Sequence, residues 1–288
     1  MRRALESRLK DDLSRATAKV ENRCRECLVY PLIVTVCLVA GYLVHPTPSK
    51  PLHSALFLSY AVPASSPLIP AHARHPGAPT HYGKGPRDFA FVAFYIVVLS
   101  FTREFLMQRV IRPLAVRSGI RARAKQARFM EQVYTAMYFF VLGPYGLFVM
   151  ARTPVWYFDT RGMFEGFPHR THEACFKAYY LLQASYWAQQ AIVLMLQLEK
   201  PRKDFKELVG HHVVTLALIG LSYRFHFTYM GLAVYITHDV SDFFLAVSAI
   251  FLLCASLSLG PHPQPFSYLY ARISLYMSKR IYTGETFC

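Results

Sequence analysis

The chain has 288 residues, 53% of them hydrophobic and 15% aromatic, with a formal net charge of +15. That apolar share, with only 17% charged residues and a mean hydropathy of +0.23, suits a membrane protein with polar loops and argues against a soluble domain. The Lys and Arg residues cluster between apolar stretches without any recognition motif, so they read as topology signals and attraction to anionic headgroups and exclude a nucleic-acid binder.

Residues 1–27 are charged and mixed in sign, unlike the start of a secretory signal, and read as a cytosolic segment leading into the first span. They hold Cys24 and Cys27, a C-x-x-C with no second pair or histidine partner at metal spacing. The bland reading is two juxtamembrane cysteines open to palmitoylation. The other cysteines, Cys37, Cys175, Cys254 and Cys288, are scattered and imply no disulfide framework.

Apolar windows near the ~20-residue bilayer length give six candidate spans. The first is Leu28–His45. Residues 46–87 follow, dense in Pro, His and Ser, and read as a lumenal linker without regular structure. The second span is Phe89–Gln108, with Arg103 and Glu104 near its end, where they would reach the interface. The third, Phe129–Ala151, carries Gly143-Pro144, a kink signal. The fourth is Cys175–Leu198, with Gln183, Gln189 and Gln190 needing partners inside the bilayer. The fifth is Leu208–Phe227. The sixth, Tyr229–Leu259, is too long for one perpendicular helix, so it must tilt, kink or run past the membrane.

With six spans, the basic segments fall on one side. The N-terminal segment carries eight Lys/Arg, the Arg109–Arg128 loop carries seven and no acid, and the loop after the fourth span carries Lys200, Arg202, Lys203 and Lys206. The positive-inside rule then puts both termini in the cytosol. The fold class expected is all-α, a polytopic transmembrane helix bundle of about six spans.

His211 and His212 open the fifth span, and Asp239 and Asp242 sit inside the sixth. An ionisable residue at mid-membrane costs at least ~2.5–3.5 kcal/mol on the insertion scale, so its default reading is functional. Counting 1.5 Å per residue from a turn near Thr228 puts His212 ~24 Å along its helix, Asp239 ~16 Å and Asp242 ~21 Å along the returning one. An antiparallel pair would bring them to similar depth. Asp239 and Asp242 share a face, and His238 is four residues from Asp242. His211 and His212 point ~100° apart, so one of them faces the acids directly.

Four roles use such a set. Acid–base or nucleophilic catalysis suits acyl transfer, with an aspartate orienting an imidazole. A zinc or iron site would use the same donors, but only one His pair is present and no second box. An ion or proton path needs polar residues at several depths. A buried His–Asp lock between two helices is the structural alternative. Aromatics of the third and fourth spans, among them Tyr134, Tyr138, Tyr179, Tyr180, Tyr186 and Trp187, serve bundle packing or line a lipid groove.

From Phe176 through Leu245 the chain reads FKAYYLLQASYWAQQAIVLMLQLEKPRKDFKELVGHHVVTLALIGLSYRFHFTYMGLAVYITHDVSDFFL. The Glu199 and Arg202-Lys203-Asp204 run, the His pair, Ser222-Tyr223 and the H-D-x-x-D ending together resemble the Lag1-type motif of ceramide synthases within the TLC-domain family. The segment THYGKGPRDFAFVAFYIVVLSFTREF from Thr80 resembles the fungal branch. The resemblance implies a multi-pass endoplasmic-reticulum enzyme that moves a fatty acyl group from acyl-CoA to the amine of a sphingoid base. It implies His211, His212, Asp239 and Asp242 as catalytic residues. It implies no metal, and no cofactor beyond acyl-CoA as co-substrate. Implied partners are the sphingoid base, fatty acyl-CoA, membrane lipid, and homo- or hetero-oligomers with other ceramide synthase subunits. CoA is anionic, so Arg121, Arg123, Lys125, Arg128, Lys200, Arg202 and Lys203 are candidate docking residues, with topology signal as the plain alternative.

After Leu245 the resemblance fades. The expected domain is then 88–259, a partial TLC/Lag1-type unit, followed by a divergent tail at 260–288. On that basis the chain is expected to be short of about two family helices. Two functions stay open: an acyltransferase, and a non-catalytic TLC-domain lipid-binding or regulatory membrane protein.

Overall fold

A computed structural model describes residues 29–44, 46, 51–70, 77–120, 122–156, 161–196 and 205–258. Cys24, Cys27, Arg121, Lys200, Arg202, Lys203 and the 260–288 tail lie outside the described residues. The chain is mostly helical, as expected: α1 (Val29–Val44), α2 (Pro51–Leu56), α3 (Asp88–Leu106), α4 (Arg112–Arg117), α5 (Arg123–Ala151), α6 (Ala174–Met195), α7 (Phe205–Arg224) and α8 (Thr228–Ser258). Among the described residues, three stretches are long and apolar enough to cross a membrane: Asp88–Arg117, Arg123–Ala151 and Thr228–Cys254. The described part of α1, Val29–Val44, is apolar as well. α6 and α7 have 22 and 20 residues, and Lys177, three glutamines and the His pair dilute their apolarity.

Two sequence expectations need correction. The 46–87 segment is not a structureless linker. It contains α2 and two strands, β1 (Ala61–Val62) and β2 (His81–Tyr82), and β2 pairs on to β3 (His172–Glu173) in a small antiparallel sheet ordered β1-β2-β3. The fold remains a helical bundle, with this sheet of two-residue strands added to it. Proline density discouraged any element there, but tertiary pairing with a segment about 90 residues away supplies the partners that short strands need. The second correction concerns Arg103. The helix runs past it through a π-helical stretch, Met107–Ile111, into α4. Arg103 is buried inside the bundle with its guanidinium 5.9 Å from the Tyr134 ring centre.

Local chemistry explains the turn that ends this long helix. Gly119 takes φ +79, and the Gly119 and Ile120 amides donate back to Val116 and Ala115 at 3.0 and 3.1 Å. That is a Schellman stop, with Ile120 buried against the helix end. At Pro144, by contrast, α5 simply continues. α8 is one unbroken helix of 31 residues, and the α7–α8 turn falls at residues 225–227, beside the Thr228 expected from the sequence. α5 lies along α8, while α6 packs on α3 and α7. α6 thus forms the inner wall of the bundle: Tyr179, Tyr180, Gln183 and Gln189 are all at most 1% exposed.

Candidate active site

The two histidines and the two aspartates do not touch one another. Among the described residues no hydrogen bond or ion pair joins His211 or His212 to Asp239 or Asp242. α6 mediates instead. Trp187, one turn deeper than Gln183 on that helix, lies 6.1 Å from His211 and 5.9 Å from His212, ring centre to ring centre. The imidazoles are 5.6 Å apart. Their ~100° separation on α7 shows in their burial: His212 is buried and His211 is exposed.

Asp239 is 1% exposed. Its Oδ2 accepts from the Tyr179 hydroxyl at 3.0 Å and from the Gln183 side-chain amide in a short hydrogen bond. Among the described residues its Oδ1 has no hydrogen-bond partner, and neither has the buried Nδ1 of His212. Asp242, half-buried, sits one turn along α8. The expected meeting of His238 with Asp242 is not made as a hydrogen bond; His238 Nδ1 pairs with the Val234 carbonyl at 2.9 Å. Among the described residues no three His, Cys, Asp or Glu side chains converge as a metal ion would need.

A cavity of about 170 Å³ lies between α6, α7 and α8. Trp187, His211 and His238 line one end. Tyr180, Ser222 and Gly231 line the other, and there the Tyr180 and Ser222 hydroxyls share a short hydrogen bond. Between these ends the wall is apolar, with Leu218, Ile219 and Val234. Gly231 is required at the floor, because a Cβ there would collide with the Tyr180 hydroxyl.

The end of the bundle that carries the sheet holds a second polar cluster, which the sequence reading missed. Lys177 Nζ pairs with Asp88 Oδ1 at 2.7 Å and donates to the Ser59 and Gly83 carbonyls at 2.9 and 2.7 Å. Asp88 Oδ2 accepts from the Tyr223 hydroxyl at 2.7 Å and the Gly85 amide at 3.0 Å. Lys84 donates to the His169 carbonyl at 2.9 Å, and burial, reinforced by the Lys177 charge, pulls its amine down to about 7 against the opposing pull of Asp88. Burial also holds His172 well below the usual imidazole range, and its Nε2 shares a 2.8 Å hydrogen bond with Thr228. A signal was present: a lone lysine at 177 inside an apolar run must find an acid, and Asp88 follows the GKGPR turn.

A family profile described as the TLC domain, the family that takes in TRAM, LAG1 and CLN8, matches residues 128–286. This chain belongs to the TLC-domain family. It is a multi-pass membrane protein. Its similar relatives include a protein named Sphingosine N-acyltransferase lac1 from Schizosaccharomyces pombe, 48% identical over 242 residues, covering 84% of this chain and 59% of that one. The Sphingosine N-acyltransferase-like protein FUM17 of Gibberella moniliformis is 50% identical over 219 residues, covering 76% and 55%. Ceramide synthase LAG1 of Saccharomyces cerevisiae is 46% identical over 230 residues, covering 79% and 53%. The chain thus spans a little over half the length of the curated relatives it matches. The shared stretch makes it a Lag1-type member of the TLC-domain family.

Proposed function

We propose that this TLC-domain chain is a sphingosine N-acyltransferase of the endoplasmic reticulum membrane, with a fatty acyl-CoA and a long-chain base as substrates. The observation that carries this reading is the cavity between α6, α7 and α8, which has two imidazoles, His211 and His238, at one end and an apolar wall of Leu218, Ile219 and Val234 along its middle. A thioester carbonyl at the histidine end would leave its alkyl chain against Leu218, Ile219 and Val234. The names of the relatives support the same chemistry.

In this reading the amine lone pair attacks the thioester carbonyl carbon. The C–N bond forms, the C–S bond breaks, and the thiol leaves with CoA. A histidine of the pair takes the proton the amine loses, or first attacks the thioester and passes the acyl group on. Asp239 and Asp242 supply the negative charge that steadies the cationic partners of these steps. The exclusion of water by Trp187 and the tyrosines of α6 strengthens each interaction. Arg123, Lys125 and Arg128 at the start of α5 face the anionic CoA moiety, and association with a second synthase subunit belongs to the same reading.

The test is N-acylation in microsomes from cells without their own ceramide synthases, using a labelled base and a panel of acyl-CoAs. Product that disappears with His211→Ala, His212→Ala, Asp239→Ala and Asp242→Ala is the expected result. Full turnover in all four variants refutes the residue assignment. No product from a well-inserted wild-type chain refutes the acyltransferase reading and leaves lipid binding.

A further inference from the structure

Asp239 is held by one oxygen only. Both of its hydrogen-bond donors come from α6, and both reach Oδ2. Tyr179 and Gln183 are four residues apart, so they lie one above the other on a single helix face. Gln183 cannot turn freely. Its amide nitrogen donates to the Tyr179 hydroxyl at 3.0 Å as well as to Asp239, and its carbonyl oxygen accepts from the Tyr138 hydroxyl at 3.4 Å. Tyr138 in turn is stacked face to face on Tyr186 at 3.6 Å and 9°. The array therefore runs from α5 through α6 to α8 and ends at one carboxylate oxygen. Tyr179 and Gln183 are both 0% exposed, so water does not compete for these bonds.

Among the described residues no donor reaches the other oxygen, Oδ1, of this carboxylate, which is 1% exposed. A buried carboxylate accepts at both oxygens, so an empty one marks where a donor belongs. No histidine of the pair reaches it, and the α6 donors are already committed to Oδ2.

We propose that Tyr179 and Gln183 are positioning residues that clamp Oδ2 of Asp239 so that Oδ1 is presented to a primary aliphatic amine, the nucleophile of the proposed reaction. The amine N–H fills the vacant acceptor, and the carboxylate charge draws the long-chain base over its neutral analogues. The clamp sets the carboxylate's rotation before the amine arrives, which removes an ordering cost from binding. This assignment rests on the amine-acylating reading above, but its signature is selectivity for the amine, which is measurable without turnover.

The experiment compares binding of radiolabelled sphinganine with binding of the same hydrocarbon lacking the amine, to the protein purified in detergent. The wild type is expected to prefer the amine. Tyr179→Phe and Gln183→Leu are each expected to lose about tenfold of that preference, the range for one hydrogen bond to a charged group, with the amine-free chain bound as before. A merely structural role would weaken both ligands alike. A third variant guards against misfolding: Gln183→Glu combined with Asp239→Asn keeps a hydrogen-bonded carboxamide–carboxylate pair between α6 and α8 but moves the charge to the wrong helix. It is expected to melt like wild type and to lose the preference. An unchanged preference in Tyr179→Phe and Gln183→Leu, or a retained preference in the exchanged pair, overturns the proposal. If the clamp variants behave as stated while the wild type acylates nothing, the acyltransferase reading falls and the amine site stands. If the wild type acylates and the preference ignores all three variants, the reverse holds.

Discussion

Replacing Lys177 by Met should be among the most damaging single changes in this protein. The ammonium is 0% exposed and its acid, Asp88, 5% exposed, at 2.7 Å. Nζ forms an ion pair with Asp88 Oδ1 and donates to the Ser59 and Gly83 carbonyls. Methionine fills a similar volume but leaves Asp88 with the Tyr223 and Gly85 donors on Oδ2 and nothing on Oδ1. Breaking a buried pair from one side costs about 3–5 kcal/mol, because the remaining charge stays in low dielectric. At ~2–4 °C per kcal/mol for a chain of this size class, the expected fall in melting temperature is of order 10 °C. Adding Asp88→Asn removes the orphaned charge while the amide can still accept from Tyr223. The double variant should therefore recover more than half of the loss. The assay is thermal unfolding of the detergent-purified chain by tryptophan fluorescence, run as a double-mutant cycle. A single variant within about 2 °C of wild type, or a double variant that simply sums the two single losses, would refute the claim that the pair is a buried, mutually dependent charge lock.

Gly231→Ala should destabilise by about 1–3 kcal/mol, since its Cβ would collide with the Tyr180 hydroxyl, and Tyr180→Phe in the same chain should restore much of that loss; melting curves of the three variants decide it. Lys84 has an amine pKa lowered from 10.5 to about 7, so between those values the unfolded chain binds more protons than the folded one, and stability should rise as pH goes from about 7 toward 10. Lys84→Met should flatten that rise, and equal slopes in wild type and variant would contradict the burial argument. Val234→Phe narrows the middle of the cavity and should shift N-acylated products toward shorter chains at least severalfold, read by mass spectrometry of products from an acyl-CoA mixture. An unchanged product profile would show that the hydrocarbon chain lies elsewhere.

The helices were legible because they are local. Long apolar windows mark α3, α5 and α8 by composition alone, and the turn near Thr228 follows from where the fifth window stops. The candidate residues were legible for a related reason: His211, His212, Asp239 and Asp242 are out of place in apolar runs. Gln183 was equally conspicuous, but composition could say only that its amide needs partners. It could not say that one partner would be Asp239, 56 residues on, and another Tyr138, 45 residues back.

Residue types and their local spacing thus determined a helical membrane bundle with a polar set inside it. Only the tertiary structure decided that α6 contacts both sets, with Trp187 beside the two histidines and Tyr179 and Gln183 hydrogen-bonded to Asp239. It also decided that Lys177 closes on Asp88, 89 residues earlier, and that a proline-rich segment pairs into a sheet with residues 172–173. Helical hydrogen bonds join residues four apart and so write themselves into sequence period. A buried charge or amide accepts any well-placed partner in space, and which one it meets depends on how whole helices pack.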